Sequence, residues 1–195
     1  MIFSQLSTIC RRVHVKLTKY RQLSDSILNI PVLSLAAADR IATIAIETAK
    51  KNNIAPICIT IVDPSGITIV SKRMDGCAPS FLKFAQAKAW TAACFKTSSR
   101  TFRDKYAAPG QLHTADKYGQ MLGMGQITGG LMAPFPGGVV LNTSEQADGT
   151  VHILAGVGVS GASGDEDEFC ALAGVHESGT PCVTEPLHHS CNHLK

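Results

Sequence analysis

The sequence predicts an α+β fold in which helices pack on a central antiparallel sheet. Its apolar patterns give the order helix, hairpin, two helices, hairpin, helix. This order contains few βαβ units, and strands joined by short turns pair antiparallel. With 195 residues, 45% of them hydrophobic, the chain has room for one domain of about 140 to 150 residues and an extension at each end.

The first helix is predicted to begin after Ser34, a candidate N-cap, and to end near Asn52 or Asn53, because alanine and isoleucine recur at helical spacing between these ends. Residues 57–62 are apolar on both faces of a predicted strand, which indicates cover on both sides. The turn DPSG at 63–66 then returns the chain as an antiparallel strand over 67–73.

A second helix is predicted over residues 80–96, and a cluster of Thr and Ser at 97–99 opens a shorter third helix. Residues 109–138 are rich in glycine and proline and show no sustained period. We expect a long irregular segment there. Such loops often carry function, so this one is the candidate rim or lid of a pocket.

Two further strands are expected at residues 138–142 and 151–160, joined by a polar turn. Ser163 and Glu166 have the spacing of a capping box, which predicts the start of a final helix. Acidic residues fill the first turn of that helix at 165–168. They complement the helix dipole, so we interpret them mainly as a solvated cap and only secondarily as metal ligands.

Lys88 and Thr91 lie within the apolar stripe of the helix predicted at 80–96. An unpaired ammonium in an apolar site is costly, so Lys88 either extends to water, pairs with a carboxylate, or faces a polar cavity that a ligand fills. Arg73 and Asp75, just before this helix, are candidates for an anion contact and a counter-charge. Lys88 is also the candidate catalytic residue, as an acid, base or carbonyl-binding amine.

Glycines near the second hairpin have two interpretations each. The run Gly156-x-Gly158-x-x-Gly161 matches a dinucleotide fingerprint, but no second parallel strand follows, so NAD binding is rejected. A P-loop is absent, which leaves ATP binding without support. We expect the strand glycines to admit a close helix or, less often, a flat ligand. Gly137 and Gly138 form either a turn or an anion-binding nest that borders a pocket.

His113 lies in the irregular segment near Tyr118, Met121 and Met124 and is the candidate metal ligand, since imidazole and thioether both bind heme iron. The alternative is an exposed loop histidine. The C-terminal tail, residues 178–195, contains cysteines and histidines that suggest either a soft-metal cluster or a disordered segment.

The net charge of +3 arises at the N-terminus, where the first 24 residues carry five basic side chains and no acidic one, so the remainder carries about −2. The body therefore offers no basic surface for nucleic acid.

Residues 1–30 have the composition of a mitochondrial transit peptide; the alternative is a basic tail on a cytoplasmic protein. No stretch approaches the roughly 20 apolar residues of a membrane span. Seven scattered cysteines suggest reduced thiols.

Four segments resemble, in order, the GlcG/HbpS family, which includes the PduO C-terminal domain: residues 62–76, 85–95, 134–141 and 155–168. The resemblance spans residues 33–177. It implies a profilin-like fold, a homo-oligomer, and binding of heme or a related tetrapyrrole, with no single chemistry common to the family.

Three functions are carried forward from the sequence. The first is heme or tetrapyrrole binding, as the resemblance implies. The second is an isomerase or lyase that acts on a carboxylate metabolite through Lys88, with Arg73 holding the carboxylate. The third is a non-catalytic oligomeric scaffold. Whether the protein is an enzyme stays open, with a binding protein favoured.

Overall fold

The computed structural model describes residues 30–107, 115–147 and 149–191. The chain divides into two units, Met1–Ile30 and Pro31–Lys195. The predicted transit peptide lies outside the described residues except for its last position, and it stays a prediction.

Helices and strands within the described part match the predicted order, with one additional helix and one additional strand. The helices are α1 (Leu35–Lys51), α2 (Ser80–Phe95), α3 (Ser99–Ala107), α4 (Ala115–Ile127) and α5 (Gly164–Glu177). The strands are β1 (Cys58–Val62), β2 (Thr68–Arg73), β3 (Gly138–Asn142), β4 (Ile153–Ser160) and β5 (Val183–Glu185).

The strands form one antiparallel sheet in the order β2-β1-β4-β3-β5, so β2 and β5 are its edges. Each predicted hairpin, β1–β2 and β3–β4, is present. The two hairpins join through β1 and β4, where Thr60 pairs with Gly158. The predicted α+β class with a central antiparallel sheet is confirmed.

Helices cover both faces of this sheet because its central strands are apolar on both sides. Ile59, Ile61 and Val157 point to the face covered by α1 and α5, where they join the main core. Cys58 and Val62 alternate to the other face and pack against α2. The complete burial of β1 confirms the cover predicted for it.

Glycines on β4 set the distance between the sheet and α2. A Cβ at Gly158 would lie 2.0 Å from the carbonyl oxygen of Ala85, and one at Gly156 would lie 2.2 Å from that of Ala89. Any side chain at either position would therefore push the helix away. Close helix packing, the first of the two interpretations of these glycines, accounts for them.

The predicted capping signals are present at two helices. The Ser34 side chain accepts a hydrogen bond from the amide of Ala37 at the start of α1. At α5, the Ser163 amide donates to Glu166 Oε2 at 3.0 Å and the Glu166 amide donates to Ser163 Oγ at 3.4 Å, which completes the capping box.

The expectation of an irregular segment over residues 109–138 is wrong for Ala115–Ile127, which forms α4. This helix buries none of its residues and contains three glycines, so it carries no apolar stripe that a periodicity argument could detect. Residues 131–137 that follow are irregular, as predicted.

Part of the predicted tail belongs to the domain. Within residues 178–195, Val183–Glu185 pairs with β3 as the fifth strand, and Cys191 is buried in the main core. No three His, Cys, Asp or Glu side chains among the described residues are placed to hold a metal ion. No helix that the structure describes is long and apolar enough to cross a membrane. The six cysteines among the described residues are free thiols.

Candidate functional site

An open cleft of about 280 Å³ lies between α2, the segment before β3, and the start of α5. Its walls are apolar and its floor is charged. The walls include Phe81, Phe84, Phe135 and Pro136, and the charged side chains are Lys88 and Asp167, with Ser160, Ala162 and Gly164 completing the lining.

Lys88 is buried, with 4% of its surface exposed. Its Nζ donates to Asp167 Oδ2 at 2.7 Å and to the carbonyl oxygen of Val159 at 2.8 Å. An ammonium has three N–H donors. No partner within the described part of the chain takes the third, so a ligand in the cleft can accept it.

Asp167 is the carboxylate that the sequence analysis left unidentified. Its side chain is 2% exposed, and its Oδ1 accepts a hydrogen bond from the amide of Ala162 at 3.1 Å. The interpretation of the acidic run as a solvated cap is therefore wrong at this position. Helical spacing could have predicted the burial of Asp167, because this residue shares a face of α5 with the buried residues Cys170 and Gly174.

Burial shifts both members of this pair toward their neutral forms. It lowers the pKa of Lys88, although the charge of Asp167 opposes that shift. It raises the pKa of Asp167 to about 6, against the opposing effects of Lys88 and of the Ala162 amide. The two groups are 2.7 Å apart, so a direct hydrogen bond links the amine to the carboxylate and gives a path for a proton between them.

A second, partly buried ion-pair cluster lies on the same turn of α5 and was also missed. Arg100 Nε on α3 donates to both carboxylate oxygens of Glu168, at 3.0 and 2.9 Å, and Nη2 pairs with Asp165. Glu168 is fully buried, so the solvated-cap interpretation is wrong here as well. These residues do not line the cleft. They fix α3 against the start of α5.

Gly137 and Gly138 pack around Lys88. Gly137 has φ +111°, and a Cβ there would lie 2.7 Å from the Val159 carbonyl oxygen and 3.1 Å from Lys88 Nζ. The Gly138 amide donates to Ser99 Oγ at 2.8 Å, so it is not available to a ligand. The structure thus places this glycine pair at the site but uses it for close packing and for the turn into β3.

Thr91 is buried one turn along α2 from Lys88 but does not line the cleft. Its Oγ1 donates to the Ala87 carbonyl oxygen and accepts a hydrogen bond from the Ala133 amide, both at 2.8 Å. It therefore ties the irregular segment before β3 to α2, and this segment carries Phe135.

Arg73 and Asp75 are not brought to the cleft. Arg73 Nη1 donates to the carbonyl oxygen of Cys77 at 2.7 Å, which closes the turn between β2 and α2. Asp75 is exposed in that turn. His113 lies outside the described residues, and its role as a ligand stays a prediction.

Comparison with known proteins identifies the family. Residues 33–176 match the family model described as "Haem degrading protein HbpS-like". The crystal structure of an HbpS double mutant from Streptomyces reticuli superposes with a TM-score of 0.60 at 30% identity, covering 79% of this chain and 92% of that one.

Two further relatives agree. The crystal structure of a PduOC:heme complex has a TM-score of 0.59 at 27% identity, over 74% of this chain and 94% of PduOC. A 15.0 kDa protein encoded in the dhaT-dhaS intergenic region of Citrobacter freundii is 28% identical over 158 residues, which are 80% of this chain and 95% of that protein. The chain belongs to the HbpS-like family, and the predicted family is confirmed.

Proposed function

We propose that this HbpS-like protein binds heme or a related tetrapyrrole in the cleft between α2 and α5. The observation that carries the proposal is the combination of aromatic and proline walls with one buried ammonium at the floor. Flat apolar ligands with a few polar groups bind to such surfaces, since apolar walls supply affinity and polar groups fix orientation. PduOC, which was crystallised with heme, and the description of the family support the same ligand.

The residues present fit a porphyrin edge. Phe84 and Phe135 are 45% and 51% exposed at the mouth, which leaves an apolar rim for the part of the ring that extends beyond the cleft. In this proposal the third N–H of Lys88 donates to a propionate oxygen of the bound ring. Bound heme iron would supply redox chemistry, whereas the chain itself binds and orients the ring.

An axial ligand is not apparent among the described residues that line the cleft, since none of them is histidine, methionine, cysteine or tyrosine. His113 follows α3 in the chain, in the stretch that leads to α4. We propose His113 as the axial ligand, because imidazole is a common ligand of heme iron.

Hemin titration of the purified protein tests the proposal. We expect a saturable shift of the Soret band, modestly weaker binding for Lys88→Met, and unchanged binding for Lys83→Met, an exposed lysine on the same helix. A changed spectrum for His113→Ala would support axial ligation. If hemin fails to saturate the wild type, heme binding is wrong and the scaffold alternative gains weight.

We also propose that the N-terminal 30 residues direct the protein to mitochondria and that the domain forms a homo-oligomer. Clustered basic residues without an acidic one support the first, and membership of the family supports the second. Light scattering of the purified domain tests the oligomer. A monomer at all concentrations would contradict it.

A further inference from the structure

We propose that Lys88 forms covalent imine-type adducts with uncharged, apolar carbonyl compounds in this cleft, with Asp167 moving the protons. The proposal concerns a second activity of the same cleft and does not require heme. It differs from the carboxylate isomerase or lyase considered from the sequence, because the structure does not bring Arg73 to the cleft to hold a carboxylate.

The Lys88 amine is held in a fixed position within the cleft. Lys88 is the only lysine among the described residues that line the cleft, and it lies at the floor below three aromatic rings. Two N–H donors are held by Val159 and Asp167, so the nitrogen is fixed in place. Burial of the amine favours its neutral, nucleophilic form.

Charge around the cleft selects the substrate class. Lys88 and Asp167 sum to zero, and no other charged side chain of the described residues lines the cleft. Asp165, in the first turn of α5 beside the lining residue Gly164, is itself paired with Arg100. The cleft therefore has no surplus positive charge to favour an anionic substrate, whereas an uncharged ketone with an apolar body suits the walls.

The reaction balances with these two residues alone. The Lys88 ammonium gives one proton to Asp167, and the free amine attacks the carbonyl carbon to form a C–N bond. Asp167 returns the proton to the oxygen and then takes one from nitrogen to leave a carbinolamine. It finally protonates the hydroxyl, which departs as water as the C–O bond breaks. The net change is ammonium plus ketone to protonated imine plus water, and no oxidant or reductant is needed.

The experiment uses the full chain and 1-phenyl-1,3-butanedione, an uncharged apolar diketone whose adduct with an amine loses one proton to become a stable, ultraviolet-absorbing enaminone. We expect one adduct per chain, a mass gain of one diketone minus one water, and peptide mapping to Lys88. Lys83→Met, a matched change on the exposed part of α2, should leave adduct formation unchanged, whereas Lys88→Arg should abolish it.

Two further measurements test the role of Asp167 and the preference for an uncharged carbonyl compound. Asp167→Asn should slow adduct formation on the order of 10²-fold, because it removes the proton carrier. Acetoacetate, an anionic analogue, should react more slowly than the diketone. Adducts confined to other lysines, or equal rates for the two probes, would overturn the proposal; mapping on the wild type gives this answer even if a variant fails to fold. Failure of hemin to bind would leave the inference standing, and hemin binding without an adduct would remove only the inference.

Discussion

Breaking the Lys88–Asp167 ion pair from one side should destabilise the protein strongly. The two side chains are 5% and 2% exposed and their charged atoms are 2.7 Å apart, so neither can turn to water when its partner is lost. Removing one member of such a buried pair costs about 3–5 kcal/mol, because the other charge stays buried without compensation. We therefore expect Lys88→Met to lower the free energy of unfolding by this amount.

The double variant Lys88→Met/Asp167→Asn should recover most of that loss. It removes both charges, while the carboxamide oxygen introduced by Asp167→Asn can still accept the hydrogen bond from the Ala162 amide. Replacement of a whole buried pair by uncharged groups is often close to neutral. Urea unfolding of the wild type, both single variants and the double variant forms a thermodynamic cycle. We expect the coupling energy to exceed the loss in either single variant, because the double variant should lose less than either single variant does.

A control pair is available on the surface. Lys72 Nζ and Asp39 Oδ1 are 2.8 Å apart, close to the 2.7 Å of the buried pair, but their side chains are 30% and 56% exposed. Lys72→Met should therefore cost less than about 1 kcal/mol. Equal losses for Lys72→Met and Lys88→Met would refute the reasoning, because they would show that water reaches Asp167 and that the cleft floor is not desolvated.

Three other outcomes are expected. In urea unfolding, the destabilisation by Lys88→Met should be smaller near about pH 5 than near about pH 8, and the opposite pH dependence would contradict this. The pKa of Asp167 in the folded protein is raised to about 6 and should rise further without Lys88. The folded state therefore takes up a proton that the unfolded chain does not bind, and the variant gains stability as pH falls. Gly158→Ala should prevent stable folding, whereas Gly119→Ala on exposed α4 should add about 0.5–1 kcal/mol, both read by thermal melts. Deletion of residues 1–30 should leave the melting temperature within a few degrees, and their fusion to a reporter should send it to mitochondria; a diffuse reporter would remove the targeting proposal.

Elements with strong local chemistry could be predicted from the sequence. The DPSG turn, the Ser34 cap and the Ser163 capping box each specify their own backbone geometry, and all are present. Helix α4 could not be predicted, because it buries no residue and carries no apolar stripe. Strand β5 is three residues long, and its pairing depends on the edge that β3 offers rather than on its own pattern.

Only one member of the buried ion pair, Lys88, could be predicted from the sequence. Its charge lies within an apolar stripe, which indicates a partner or a cavity, and the structure places it in a buried ion pair at a cleft. Its partner is 79 residues further along the chain, and acidic residues in a first helical turn are usually exposed. Phe135 reaches the cleft through an irregular segment whose path is set by tertiary contacts with Thr91 and Ser99. Such contacts are not visible in spacing.

Both edges of the sheet discourage the addition of a further strand. Strand β2 ends in Lys72 and Arg73, whose charges would be costly beside another backbone, and β5 offers only three residues before Pro186, which has no amide hydrogen. A neighbouring molecule therefore has little exposed strand backbone with which to continue the sheet. Any homo-oligomer of this chain should accordingly assemble through its helices and close on itself as a discrete particle, rather than grow by strand addition into a fibre.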